Sequence, residues 1–188
     1  MLTLERAREL NATMVTEPHL LVHAQAVSAA MAAMARHFGA NEEHWAAIGW
    51  LHDYDYEQYP SEHLLHTAEP LRAAGVSEEE IRAILSHGYG LHNDLKPETD
   101  CEKSLYTVDE LTGIINAAAR MRPHGISDMD VKSLLKKFKD KKFAAKCNRE
   151  LILNGCAMLN MELREVAEIC LAGMRPFAAE LGLLGTEQ

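Results

Sequence analysis

The sequence lacks most of the features that declare a function outright. Its four cysteines, Cys101, Cys147, Cys156 and Cys170, form no Cys-x-x-Cys pair. Neither a zinc knuckle nor a thiol-redox motif is therefore suggested, and reduced thiols are expected. No run approaches the ~18 apolar residues of a membrane span, and the start, Met-Leu-Thr-Leu-Glu-Arg, holds no apolar signal core. A cytoplasmic location with no membrane partner is expected. Positive charge is scarce, with 19 lysines and arginines against 28 acids and a net charge of −9. That balance argues against a nucleic-acid polymer as partner, because counterion release needs a cationic face. Strict apolar alternation is missing too, as are repeats and low-complexity tracts. No sheet is expected.

What remains is helical nearly end to end. A chain of 188 residues fits one compact domain with its own core, and the fold class expected is all-α. Thr3 is placed to cap a helix over 3–14. Pro18 suits the first turn of a second helix, which stops near Gly39. Asn41 caps a third, ending at His52-Asp53. After a loop over 54–60, a helix is expected over 61–74. Ser77 and Glu80 form a capping box for the helix that reaches His87. Residues 88–100 are turn-rich and are the candidate active-site loop. A long helix over 101–121 carries Asp109. Ser127 opens a basic helix, another fills 144–159, and the last, over 161–181, is kinked at Pro176.

Charge is uneven along this plan. Residues 131–150 hold seven lysines and one arginine against one aspartate and one glutamate, a local charge of +6 that leaves −15 elsewhere. A solvated helix face explains most of these lysines. The alternative is that one or two of Lys132, Lys136 and Lys146 point inward to hold a substrate phosphate, since lysine is a good point-charge partner for phosphate.

Ten histidines are too many for one site. His19, His37, His44, His63 and His124 are read as solvated or satisfied by a neighbour. His52-Asp53 differs because an apolar helix ends there. Adjacent helical residues point about 100° apart, so both can grip one ion only where a helix stops or bends. His23 sits in an alanine-rich helix, as a ligand or as a core histidine bonded to a carbonyl. Asp109 lies beside small residues, where a carboxylate is costly to bury unless paired or metal-bound. Its other reading is a helical acid favoured by the macrodipole.

The order is His23 in Leu-Val-His-Ala-Gln-Ala-Val, His52-Asp53 in Gly-Trp-Leu-His-Asp, and Asp109 in Thr-Val-Asp-Glu-Leu-Thr-Gly. It resembles the HD superfamily of metal-dependent phosphohydrolases. The resemblance covers roughly 18–120, while 121–188 is similar to the C-terminal part of a small bacterial branch of that superfamily. It implies a single HD-domain helical bundle with a C-terminal helical extension. It also implies His23, His52, Asp53 and Asp109 as metal ligands, with Asp53 and His52 catalytic. Members with a second ion use extra histidines, which points to His66 and His87, with His92 as a further ligand or substrate contact. The branch acting on cyclic dinucleotides has a double histidine and Gly-Tyr-Pro. Here the segment reads Ser-His-Gly-Tyr-Gly, so that substrate is not assigned.

Imidazole and carboxylate without thiolate suit manganese, iron, nickel, cobalt or zinc, one ion or two. Such an ion activates water for attack on phosphorus. A small phosphorylated molecule is the expected partner: a phosphomonoester, phosphodiester or nucleotide. Lys132 and Lys136 are its candidate contacts, and a homodimer is permitted. His87, His92 and Glu57 are candidate acids for the leaving group. A non-catalytic helical module and a di-iron oxygenase are the alternative readings.

Overall fold

The computed structural model describes residues 1–186. Among these the order is α1 (Leu4–Asn11), α2 (Pro18–Phe38), α3 (Glu42–Leu51), a 3-10 turn (Pro60–Glu62), α4 (Ala68–Ala73), α5 (Glu78–Ser86), α6 (Asp100–Arg120), α7 (Val131–Lys139), α8 (Arg149–Leu159) and α9 (Leu163–Met174). A second 3-10 turn, Arg175–Phe177, follows directly at Pro176. The fold is all-α, with no strand among the described residues. Among the described residues, no helix is long and apolar enough to cross a membrane.

The ends of these helices follow their capping residues. Thr3 accepts from the Arg6 N–H, Asn41 from His44 and Thr99 from Glu102. Ser77 and Glu80 form the expected reciprocal box. α2 stops at Gly39, whose φ of +67° ends the helix in the left-handed conformation that glycine adopts without penalty.

α2 is the central post, packed against α3, α6 and α9. Ala24, Ala26, Ala29, Ala30, Ala33 and Ala35 on it are all buried. Small side chains let the neighbouring backbones come close. Gly49 takes this furthest on α3: a Cβ there would stand 2.9 Å from Met31 Cγ. On the other side α6 packs against α8. Around them one apolar cluster runs from Leu2 to Leu183.

Five expected helices are shorter than their periodicity suggests: the first, expected over 3–14, ends at Asn11, the last, expected over 161–181, ends at Met174, and three more are cut at their starts. The 61–74 helix survives only as α4, because Asp55 holds the backbone of Leu64 and His66 in a non-helical shape and Leu64 takes φ +71°. The basic helix opens at Val131 rather than at Ser127, because Asp130 caps it by accepting from Ser133. α8 starts at Arg149 rather than near 144. Ala144 takes φ +44°, and Asn148 supplies the cap by accepting from Glu150 and Leu151.

Candidate metal centre

The packing of α2, α3 and α6 brings His23, His52 and Asp109 together, although they are far apart in sequence. His23 Nε2 lies 3.0 Å from His52 Nε2 and 3.0 Å from Asp109 Oδ1. His52 Nε2 stands 3.4 Å from Asp109 Oδ1 and 3.2 Å from Asp53 Oδ2. Asp53 follows the C-cap of α3 and is placed between two groups of donors. Its Oδ2 faces His23 and His52, while its Oδ1 lies 3.3 Å from His63 Nε2 and 3.7 Å from His87 Nε2. His63 and His87 in turn approach each other at 3.3 Å through their Nε2 atoms. Each of the two groups, His23-His52-Asp109 and Asp53-His63-His87, keeps its ligand atoms within 4.8 Å and can hold a metal ion.

The chemistry of the donors favours a cation at both points. His52 Nδ1 donates to the Gly49 carbonyl at 2.8 Å and His87 Nδ1 to the Ile84 carbonyl at 2.6 Å. A carbonyl only accepts, so each Nδ1 carries a proton, and each ring in its neutral form presents a lone pair at Nε2. His63 is fixed in the same sense, with Nδ1 2.8 Å from Asp55 Oδ1. Neither His63 nor His87, as a neutral ring, can donate to the other, and both face a carboxylate oxygen. Only an added proton or a metal ion removes that repulsion. Orienting the far nitrogen of a ligating histidine is what outer partners do at metal sites. Spacing agrees as well: ligands about 2.1 Å from one ion sit about 3.0 Å apart at a right angle and about 3.4 Å apart at the tetrahedral angle.

The ionisation of these groups shows the same demand for positive charge. Burial alone would lower His52, yet the carboxylates of Asp53 and Asp109 hold its imidazole well above the ordinary value. Burial opposes the shift at His63 too, but bonds to Asp53 and Asp55 raise it to about 9. Burial would raise Asp53 and Asp109, and His52 pulls both well below the usual carboxylate range. The raised values mean that, without an ion, the carboxylates draw protons to His52 and His63, and a divalent ion would take over that role.

The donors other than the fully buried His52 open into a cavity of about 340 Å³ whose wall also includes Tyr56, His92, Tyr106, Glu110 and Lys146. His92 stacks edge-on to His63 at 5.0 Å. Its pKa is lowered, by burial first and then by His63 and His87. Glu110 accepts from the Asn148 N–H at 2.9 Å. Burial raises its carboxyl.

Several expected residues stand elsewhere. His66, expected beside His87, bonds to Glu62 at 2.6 Å and stacks on Tyr59, because its backbone N–H is drawn to Asp55 and its ring turns outward. His63, read as a solvated or satisfied histidine, takes that place. Only the pairing with buried Asp55 singles it out, and that pairing depends on a loop conformation without periodicity. Lys132 and Lys136 are exposed on α7 and absent from the cavity wall, whereas Lys146 is on it. Glu57 stands off the cavity wall, at the entry to α2. It accepts from the N–H groups of Thr16 and Glu17, and the Glu17 and Thr16 bonds lower its carboxyl.

Compared with models of protein families, with curated proteins and with solved structures, the chain has no match.

Proposed function

We propose that the chain is a metal-dependent phosphohydrolase of the HD type, acting on a small phosphorylated molecule. The observation that carries this reading is Asp53, whose two carboxylate oxygens face two separate groups of histidine donors. Two ions held a few ångströms apart form a common arrangement in phosphatases and nucleases. The nitrogen-rich, thiolate-free donor set fits manganese, iron, nickel, cobalt or zinc. When bound, such ions supply the Lewis acidity that activates water and neutralises phosphate charge.

The chain's own residues supply the rest. Asp53 spans both groups and fixes the position from which water attacks. Lys146, on the cavity wall, pairs with a phosphate oxygen as a point charge. His92 lies beside His63 at the cavity edge and is placed to pass a proton to the leaving group. The acidic remainder of the chain repels large polyanions, which favours a small substrate.

The test is hydrolysis of p-nitrophenyl phosphate and bis(p-nitrophenyl) phosphate by protein loaded in turn with manganese, iron, nickel, cobalt and zinc. Metal-dependent release of nitrophenol, lost in Asp53→Ala, supports the reading. Oxygen uptake without phosphate-ester cleavage would instead favour a di-iron oxygenase, and no turnover of either kind a non-catalytic module.

A further inference from the structure

The basic segment builds a second cavity that the chemistry above does not use. It is an open groove of about 730 Å³ between the end of α7 and the start of α8, and its wall includes the exposed Lys139, Lys141 and Lys146 together with Arg149. Lys146 and Cys147 line both this cavity and the one at the metal centre. The two spaces are neighbours across one lysine.

Arg149 shapes the wall and is not itself a spare cation. Its Nε donates to the Phe138 carbonyl at 2.7 Å, and one terminal nitrogen donates to Ala144 and Cys147 at 3.3 Å each. The other reaches Asp140 at 3.0 Å and Phe143 at 2.5 Å. All five guanidinium donors are spent on backbone carbonyls of one turn, with Ala144 held at φ +44°. That cage gathers Lys139, Lys141 and Lys146 around a single space. Glu150 is, among the described residues, the one carboxylate on its wall. Among the described residues, no carboxylate pairs with any of the three lysines within 4.0 Å. Like charges brought near one another repel, and an anion between them relieves that repulsion.

We infer that this cavity is an anion subsite continuous with the metal centre, which binds a second, non-scissile phosphate of the substrate. The inference rests on the phosphohydrolase reading for what occupies the first cavity. Phosphate fits better than carboxylate because several ammonium groups match a dianion. Lys139 and Lys141 hold the distal group, and Lys146 stands between the two. The substrate class is then a small molecule with two separated phosphates. Tethering the second group to the first makes its capture intramolecular, so affinity rises without a stronger individual contact.

The experiment is calorimetric titration of the manganese-loaded full chain with inorganic phosphate and with linear α,ω-diol bisphosphates of increasing chain length. It uses the wild type, Lys139→Gln/Lys141→Gln, and Lys132→Gln/Lys136→Gln, which removes equal charge from exposed positions off the cavity wall. The best-fitting bisphosphate is expected to bind about tenfold tighter than inorganic phosphate. That advantage should disappear in the 139/141 variant and persist in the 132/136 variant. Bisphosphates of every length binding no tighter than inorganic phosphate would overturn the subsite. So would equal loss in both variants, which would assign the gain to overall charge. Inorganic phosphate binding that ignores manganese, with the bisphosphate gain still lost in the 139/141 variant, would remove the phosphohydrolase reading and leave the subsite standing.

Discussion

The two sides of Asp53 are built by different means. On the Oδ2 side, His23 and Asp109 ride on long helices and His52 sits at the C-cap of α3. Their positions are set by helix packing, with Gly49 letting α3 close onto α2. On the Oδ1 side, His63 lies in an irregular segment and His87 caps a short helix. Here position depends on polar bonds, above all the three that Asp55 accepts from His63, Leu64 and His66. One side is held by buried apolar surface; on the other, His87 is bonded to the Ile84 carbonyl and His63 is held by one buried carboxylate. The first resists local change, while the second can fail at Asp55.

The largest expected effect comes from the residue common to both sides. Asp53→Ala should lose the ions of both groups and bring turnover to the uncatalysed level, with far-ultraviolet circular dichroism showing the helices intact. Retained turnover would end the comparison. Next is Asp55→Asn, which disturbs only the Oδ1 side. Loss of such an outer partner weakens metal affinity about 10–100-fold, and the buried bonds left unsatisfied lower stability by about 1–3 kcal/mol. A competitive chelator titration should show one ion weakened and the other unchanged. Gly49→Ala probes the packed side, where overpacking costs about 1–3 kcal/mol. Its expected outcome is a lower melting temperature with both ions retained. The smallest effect belongs to His66→Ala: metal content and turnover should stay within about twofold, because its ring bonds to Glu62 and stacks on Tyr59, off the cavity wall. If His66→Ala loses an ion, the geometry of the Oδ1 side is not the working one.

The same contrast explains what could be read in the sequence. His23, His52 and Asp109 stand on helices whose caps and periodicity are local, so their helices were legible, and the short motifs around them carried the resemblance. Asp53 was legible for the same reason. The choice between His63 and His66 was not. It is decided by Leu64 at φ +71° and by Asp55, neither of which has a periodic signal. The lysines divide along similar lines. Composition marked 131–150 as basic, but which lysines face a cavity depends on Arg149 folding the turn with five carbonyl bonds. The turn also cut short the helix expected over 144–159.

The most direct test of the two-sided centre is metal analysis of protein purified without chelator, beside Asp53→Ala and His63→Ala. The account predicts about two equivalents of transition metal in the wild type, one in His63→Ala and none in Asp53→Ala. Unchanged metal content in Asp53→Ala, or a wild type that takes up no manganese, iron, nickel, cobalt or zinc, would contradict it.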